Sequence, residues 1–363
     1  MPTSPSPDPA RFENVLQVGG IRTGTLDHPN PLGGQSCRVA HVNTGGGLRF
    51  TVALDRGGDL VEAFFHQHSL TYLSPNGYVP PSESFQHGDR WLRSWPTGLL
   101  TTCGPMHIGA PRTEDGVEIN LHGHHANTPA AVEMVLNPDP HARPARREML
   151  LSLVVRDSRF YGPVVEVRRQ VQCALGVNDI VIHDTVTNRG NTPAPHHWLY
   201  HVNLGYPLLD AGARFVYRGR ARQVEPAGVS ATAAQLEAMK LVPAPLEEHA
   251  GESSRIVFVE PPMDEAGRAR VGLINEKLGL GFEIDYPADV LPRLANWQHF
   301  GRGCYVSGLE PFTGTIRGRA ADPHPSNDLK LQPGESRRYR LVLRVREAEE
   351  LAELAACDGA VEG

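Results

Sequence analysis

Histidine is the residue type with the clearest chemical potential in this chain, and its distribution is uneven. Three of the seventeen histidines lie within residues 121–125, and three more lie within residues 196–201. An imidazole can transfer protons near neutral pH or bind a metal. If residues 119–124 form a strand, His122 and His124 point to the same side of it. For any single one of these histidines, spacing alone favours a buried, hydrogen-bonded structural role.

The first histidine cluster allows a metal hypothesis. Gly116, followed after five residues by His122 and His124, resembles the start of the cupin metal motif. Cupins are all-β proteins, and several are metal-dependent sugar isomerases. Their motif continues with a glutamate four or five residues later, where this chain has Thr128 and Pro129. A metal-dependent, cupin-like sugar isomerase is therefore the second hypothesis, and a three-histidine zinc site built from both clusters stays open.

The elements that must position these residues have the patterns of strands. Apolar and polar residues alternate with a period of two, which is typical of strands with one face on a core and one in water. The clearest runs are residues 48–54, 165–173, 280–286 and 338–346. The chain also contains 31 prolines and 37 glycines, too many for a helical protein of this size. The sequence therefore predicts an all-β protein, a large antiparallel β-sandwich.

The domain organisation follows from the same patterns. Residues 1–15 are predicted to be a disordered lead-in, and residues 16–347 a single sandwich domain. Residues 348–363 form a C-terminal helix and tail in this prediction. Helical patterns are confined to about residues 233–241 and 346–357. There is no βαβ alternation and no glycine-rich nucleotide loop, which argues against a Rossmann or P-loop protein.

Composition narrows the classes of partner. The net charge is −6 without a long run of either sign, which argues against nucleic acid as a partner. No stretch approaches the roughly 18 apolar residues of a membrane helix, and the N-terminus lacks the features of a secretory signal. The five cysteines are an odd number without a CxxC pair. Reduced thiols in a cytoplasmic protein are the expectation.

Three short segments, in chain order, carry a resemblance to a known family. Residues 121–123 (LHG) resemble an early LHGG element, and residues 198–205 (WLYHVNLG) resemble a signature strand that ends in a histidine followed by Asn-Leu. Residues 305–311 (YVSGLEP) are similar to a late GLxLET element that carries a glutamate. Together they resemble the aldose 1-epimerase (galactose mutarotase-like) superfamily over roughly residues 20–345. Residues 98–104, 201–210 and 308–311 resemble a less characterised branch of it.

The resemblance implies a cofactor-independent isomerase acting on a small sugar. Mutarotation opens a pyranose ring at its anomeric carbon and closes it again, so one group takes a proton from the C1 hydroxyl and another protonates the ring oxygen. By resemblance Glu310 is the base and His201 the acid, which agrees with ordinary pKa values of about 4.3 and 6.5. His122 and Asn203 would contact the sugar. No metal or organic cofactor is needed.

Two further residues are candidates for sugar contacts. True mutarotases have an arginine motif ahead of the first histidine element, and Arg93 is the candidate for it here. Trp297 is the candidate for stacking on the apolar face of a pyranose. A third hypothesis is a non-catalytic carbohydrate-binding protein on the same scaffold. For Glu310 itself, its position next to Pro311 leaves open a structural alternative, a turn carboxylate on a solvated rim.

Overall fold

The computed structural model describes residues 7–27, 36–114, 116–225, 228–317 and 329–362. The first six residues of the predicted lead-in lie outside this part of the chain, and its remainder includes a short 3₁₀ helix at Pro9–Arg11. The division into lead-in, sandwich and C-terminal segment stays a prediction.

Strands make up most of the regular structure. In the first half of the chain they are β1 (Gly20–Asp27), β2 (Ser36–Asn43), β3 (Leu48–Ala53), β4 (Asp59–Phe65), β5 (His68–Ser69), β6 (Leu100–Cys103), β7 (Arg112–Glu114), β8 (Val117–Ile119), β9 (Ala130–Leu136), β10 (Glu148–Ser158), β11 (Val164–Ala174) and β12 (Asp179–Asn188). In the second half they are β13 (Ala194–Pro195), β14 (Leu199–Gly205), β15 (Arg214–Val216), β16 (Gly219–Glu225), β17 (Arg255–Glu260), β18 (Arg268–Asn275), β19 (Leu280–Pro287), β20 (Arg293–Phe300), β21 (Tyr305–Phe312), β22 (Lys330–Leu331), β23 (Ser336–Glu347) and β24 (Val361–Glu362).

Two sheets form a sandwich, which confirms the predicted fold class. Among the described residues the large sheet has the order β1-β2-β3-β4-β6-β14-β21-β20-β17-β16-β24, with β5 beside β4, and the smaller sheet has the order β15-β18-β19-β23-β12-β11-β10-β9. Neighbouring strands are antiparallel except β16 and β24, which are parallel. One hydrophobic core lies between the sheets and includes Tyr200 and Val202 of the large sheet and Val167 and Ile182 of the smaller one.

The helices are shorter than the sequence predicted. The helix expected at about 233–241 is α1 (Ala233–Ala238), which begins with a capping box between Thr232 and Gln235. The helix expected at 346–357 is α2 (Leu351–Ala355). Residues 346–347 instead continue β23, where Glu347 pairs with Leu280. In the described residues no helix is long and apolar enough to cross a membrane.

Short 3₁₀ helices occupy several loops. They are Pro9–Arg11, Val15–Gln17, Glu83–Phe85, Arg90–Arg93, His125–Asn127, Glu247–His249 and Ala348–Glu350. Three of them belong to the segments between β5 and β9 that cover the outer face of the large sheet, the face turned away from the sandwich core. All five cysteines are free thiols.

A buried arginine joins the two sheets behind the centre of the large sheet. Arg169 of β11 has no solvent exposure. Its guanidinium donates to both carboxylate oxygens of Asp184 at 2.8 Å, to Asp59 at 3.0 Å and to the Thr102 hydroxyl at 2.7 Å. The Tyr200 hydroxyl donates to Asp184 at 2.7 Å. Strands β4, β6 and β14 are thereby tied to the smaller sheet through one cation.

We expect Arg169→Leu to lower the free energy of unfolding by about 3–5 kcal/mol, because it leaves Asp59 and Asp184 buried without their cation. Urea unfolding followed by circular dichroism measures the change. Arg168→Leu is the matched control, since Arg168 is half exposed. Its buried partner Glu166 keeps its ion pairs with Arg156 and Arg189. Loss of Arg168 should cost at most about 1 kcal/mol. Equal effects of the two substitutions would contradict the bridging role of Arg169.

Candidate active site

Strand pairing brings the predicted catalytic residues together on the outer face of the large sheet. His201 of β14 lies opposite Thr101 of β6. On the neighbouring strands, Trp297 of β20 pairs with Gly308 of β21, and Glu310 lies two residues further along β21. Because side chains alternate along a strand, Tyr200 and Val202 point into the core while His201 points outward. The period-two pattern of β14 therefore determines the position of His201.

Loops before β6 and after β8 form the wall around this face. Trp91 and Trp95 stack with ring centroids 4.7 Å apart, and Nε1 of Trp95 donates to Oγ1 of Thr101 at 2.8 Å. The ring centroid of His122 lies 5.0 Å from that of Trp91 and 5.7 Å from that of His201. The aromatic wall is thus anchored to the sheet by one indole hydrogen bond.

The prediction that residues 119–124 form a strand is wrong. β8 ends at Ile119, and His122 has a positive φ of 59° in the turn that follows. The turn is held by a hydrogen bond from the amide of Gly104 to the carbonyl of His122. The two histidines therefore diverge, and Nδ1 of His124 lies 3.3 Å from a carboxylate oxygen of Asp157. No group of three or more His, Cys, Asp or Glu side chains that could hold a metal occurs among the described residues.

Glu310 and His201 are in direct contact. Oε1 of Glu310 lies 3.2 Å from Nε2 of His201, and the residues are only 3% and 5% exposed. Gly308 makes the contact geometrically feasible. A Cβ atom at that position would collide with Oε1 of Glu310 and would lie 3.0 Å from Cε1 of His201. The absence of a side chain at residue 308 is therefore what admits the carboxyl group beside the imidazole.

Burial changes the protonation that ordinary pKa values had predicted for the pair. Desolvation raises the pKa of Glu310 to about 8. Desolvation, with a smaller contribution from neighbouring His122, lowers the pKa of His201 well below its ordinary value. At neutral pH Glu310 is therefore protonated and His201 neutral, because a neutral pair avoids two charges in a medium of low dielectric constant. The expectation of an ionised Glu310 is corrected for this state of the site.

Asn203 lies behind His201 on the same strand. It has no solvent exposure, and its Nδ2 donates to the carbonyls of Gly98 at 3.0 Å and of His201 at 3.1 Å. These two bonds fix the orientation of the amide, so its oxygen points away from both carbonyls. Its side chain also contacts the His201 imidazole, a contact that raises the pKa of His201 against the larger effect of burial.

The other predicted residues lie at different depths. His122 is half-buried, and burial together with the nearby His107 lowers its pKa to about 3, so it is a neutral hydrogen-bonding group. Trp297 is half-buried, and its ring centroid lies 5.7 Å from that of His201. Arg93 is exposed on the 3₁₀ helix Arg90–Arg93. Within the described chain no hydrogen bond or ion pair joins Arg93 to Glu310 or His201.

Sequence reasoning missed three contributors to the site. Trp91 and Trp95 precede β6 in a segment whose irregular conformation leaves no periodic signal in the sequence. Gly308 was included only as part of a motif. Trp91 and Trp95 lie four residues apart, shortly before the strand that bears Thr101, and this spacing is a signal that could have indicated their role.

Several buried polar atoms in this region have no hydrogen bond in the described structure. They are Nδ1 of His201, Oδ1 of Asn203, Oε1 of Glu310 and Nε1 of Trp91. Buried polar groups without partners are costly, so their concentration at one place favours a site for a polar ligand. Chemically, the arrangement combines one transferable proton, two groups that can exchange it and an aromatic wall.

Comparisons with known proteins agree with this fold. Residues 34–345 match the model of a family described as a domain of unknown function, DUF4432. No curated protein matches the chain. Among solved structures, a Klebsiella pneumoniae protein with a provisional description as an aldose 1-epimerase is similar, with a TM-score of 0.82 and 22% identity over 96% of this chain and 93% of that one.

Two other structures have the same architecture at lower identity. A galactose mutarotase-like protein from Clostridium acetobutylicum has a TM-score of 0.64 and 13% identity over 91% of this chain and 99% of its own. The galactose 1-epimerase of Lactobacillus acidophilus has a TM-score of 0.55 and 10% identity over 90% and 99%. The predicted galactose mutarotase-like fold is confirmed.

The pKa of Glu310 predicts a pH-dependent effect on stability. The folded value of about 8 lies above the ordinary value of about 4.3, so the folded chain binds this proton more tightly than the unfolded chain. The stabilising contribution is full at low pH and is lost as pH rises through about 8. The free energy of unfolding of Glu310→Gln, relative to that of wild type, should therefore increase with rising pH and be higher by a few kcal/mol at pH 9 than at low pH. Each unit of pKa difference corresponds to about 1.4 kcal/mol.

Urea unfolding of both proteins at pH 5, 7 and 9 measures this difference. Glu349→Gln, at an exposed position, is the control for an exchange of glutamate for glutamine without burial. A difference between Glu310→Gln and wild type that stays constant across this range would show that Glu310 is ionised in the folded protein throughout.

Proposed function

The chain belongs to the DUF4432 family, and we propose that it is a cofactor-independent isomerase of the aldose 1-epimerase type that interconverts the anomers of a sugar. The observation that carries the proposal is the buried contact between Glu310 and His201, 3.2 Å apart, beside an indole wall. Ring opening and closure need one proton removed and one delivered on neighbouring atoms of the same sugar. A carboxyl and an imidazole in contact can serve both atoms.

In the proposed reaction Glu310 takes the proton of the C1 hydroxyl and His201 protonates the ring oxygen. The pair has a single proton, held by Glu310, and this proton must pass to His201 when the sugar binds. A hydrogen bond from the C1 hydroxyl to the carboxyl group stabilises its ionised form and lowers its pKa, which favours this transfer. The two groups lie 3.2 Å apart, within the reach of a hydrogen bond, so sugar binding need only align them for the proton to pass directly. Closure of the ring on the other face of C1 reverses the steps.

The surrounding residues have two proposed roles, contact with the sugar and positioning of His201. Trp297 and Trp95 offer apolar faces to the C–H side of a pyranose, with ring centroids 6.2 Å apart. Neutral His122 would hydrogen-bond a sugar hydroxyl. Asn203 is fixed by two backbone carbonyls, one of them that of His201 itself, so its role is proposed to be positioning of His201 in place of direct sugar contact. Arg93 stays a candidate for a contact at the rim.

Glu310→Gln and His201→Asn should each slow anomer exchange by about 10²–10⁴-fold, because each removes one partner of the proton exchange. The double variant should lose less than the sum of the two free-energy effects, since both residues act in one transition state. Exchange between the α and β C1 protons of free aldoses, followed by magnetisation-transfer NMR, measures the rate.

The exposed positions Glu349→Gln and His141→Asn provide matched controls that should keep the wild-type rate. Normal exchange in both single site variants would refute the proposed mechanism. A wild-type protein that binds sugars without accelerating exchange would establish the alternative of a non-catalytic carbohydrate-binding protein.

The pH dependence of kcat/KM should report the single proton of the pair. The value should stay level through neutral pH and fall as pH rises past about 8, where the pair loses that proton. On the acidic side, kcat/KM should fall only at a pH well below the ordinary pKa of histidine, because the pKa of His201 is lowered. Rates corrected for spontaneous exchange in each buffer test this profile, and an increase in kcat/KM across pH 8 would contradict it.

A further inference from the structure

A second polar surface lies on the outer face of the large sheet, on the four strands β1–β4. One row of cross-strand neighbours runs across all four strands, because Arg22 pairs with His41, His41 with Thr51, and Thr51 with Glu62. The residues between them on the same strands, such as Ile21 and Val42, belong to the sandwich core. The alternation of these strands therefore places four polar side chains side by side on the outer face.

A second row lies directly beside the first. It consists of Gly20, Asn43, Arg49 and Phe64, which pair in that order across the same four strands. Gly20 contributes no side chain, and Phe64 is half-buried and adds an aromatic ring. The two rows together form a grid that combines two guanidinium groups, an imidazole, a hydroxyl, an amide and one carboxylate.

The middle of the first row is a connected hydrogen-bond chain. The hydroxyl of Thr51 donates to Glu62 at 3.2 Å and lies 3.1 Å from Nδ1 of His41. A hydroxyl has one proton, so Nδ1 of His41 must donate to Thr51. The Tyr78 hydroxyl also bonds Glu62, a contact that helps to raise the pKa of Tyr78. The only carboxylate of the grid is therefore already engaged by two protein hydroxyls.

The two arginines keep most of their donors. Arg22 donates to the carbonyl of Leu16 at 2.8 Å, and Arg49 donates to the carbonyl of His66 at 2.8 Å. Neither has an ion pair in the part of the chain that the structure describes. Each guanidinium has five N–H donors in a fork that fits a carboxylate or phosphate group. One carbonyl contact positions each side chain and leaves the other donors for a ligand.

These residues line an open surface cleft of about 450 Å³, within the usual range for small-molecule sites of about 300–1,000 Å³, and Arg22, His41, Asn43 and Arg49 are exposed in it. We propose that it is a second binding site, for an anionic, hydroxyl-bearing small molecule of the class of sugar acids and sugar phosphates. The guanidiniums of Arg22 and Arg49 bind the anionic group. Asn43 and His41 hydrogen-bond hydroxyl groups, and Phe64 contacts the apolar face. The site is separate from the strands β6, β14, β20 and β21 that hold the Glu310–His201 pair, and it does not depend on the proposed isomerase activity.

Isothermal titration of the full chain with D-glucuronate, D-glucose 6-phosphate, D-glucose and inorganic phosphate tests the proposal. At least one of the two acidic sugars should bind about ten-fold or more tightly than D-glucose. Arg22→Gln and Arg49→Gln should each weaken that binding by about ten-fold or more, because each removes a charge-assisted contact. Arg338→Gln, an exposed arginine on the smaller sheet, is the matched control and should bind like wild type.

The set of titrated ligands distinguishes a carboxylate from a phosphate as the anionic group that binds. Binding of glucuronate alone identifies a sugar-acid site, and binding of glucose 6-phosphate alone identifies a sugar-phosphate site. Inorganic phosphate that binds as tightly as the acidic sugars would overturn the proposal, because the hydroxyl contacts would then contribute nothing. Binding that is unchanged in both arginine variants but lost in Glu310→Gln would place the ligand at the other site and would also overturn it. Unchanged circular dichroism and melting temperature show that the variants are folded.

Discussion

The requirement that buried charge be neutralised governs the centre of this structure. Arg169 is a cation without solvent contact, and its position is tolerable only because Asp59 and Asp184 surround it. Burial still raises the pKa of Asp59 to about 6. The same guanidinium reaches Thr102, and Asp184 accepts from Tyr200. These two residues are the immediate chain neighbours of Thr101 and His201, so the ion network holds the core side of the two strands whose outer side forms the candidate site.

On the outer face of the large sheet, buried charge is avoided in a different way. Glu310 and His201 are nearly as buried as Arg169, but they avoid charge because burial raises the pKa of Glu310 and lowers that of His201. The ion network has fixed charges and several hydrogen bonds, which suits a structural bridge. The pair has one contact and several atoms without partners, which suits a site that exchanges protons with a ligand. Two adjacent residues of β14, Tyr200 and His201, thus belong to two different electrostatic systems on opposite faces of one strand.

The features that sequence could predict are those with a local or periodic signal. Alternation in residues 48–54 and 280–286 identified β3 and β19, because the apolar side chains of each strand point into the core. The polar face of β19 is buried as well, which the alternation did not predict. Motif resemblance identified His201 and Glu310, which the structure brings into contact. The turn at His122 escaped prediction because its conformation depends on hydrogen bonds to the distant Gly104. The protonation of Glu310 also escaped it, since a pKa depends on burial, which sequence alone does not give. The wall formed by Trp91 and Trp95 also escaped prediction, because it depends on packing that sequence alone does not give.

Gly308 has a consequence for comparing members of this family. In the observed arrangement a Cβ atom at residue 308 would collide with Oε1 of Glu310, so any other amino acid there would force the carboxyl group to move. A homologue with another residue at this position could retain both the glutamate and the histidine and yet hold them in a different arrangement. Glycine at this position is therefore a sequence marker for homologues that keep the carboxyl group and the imidazole as they lie here.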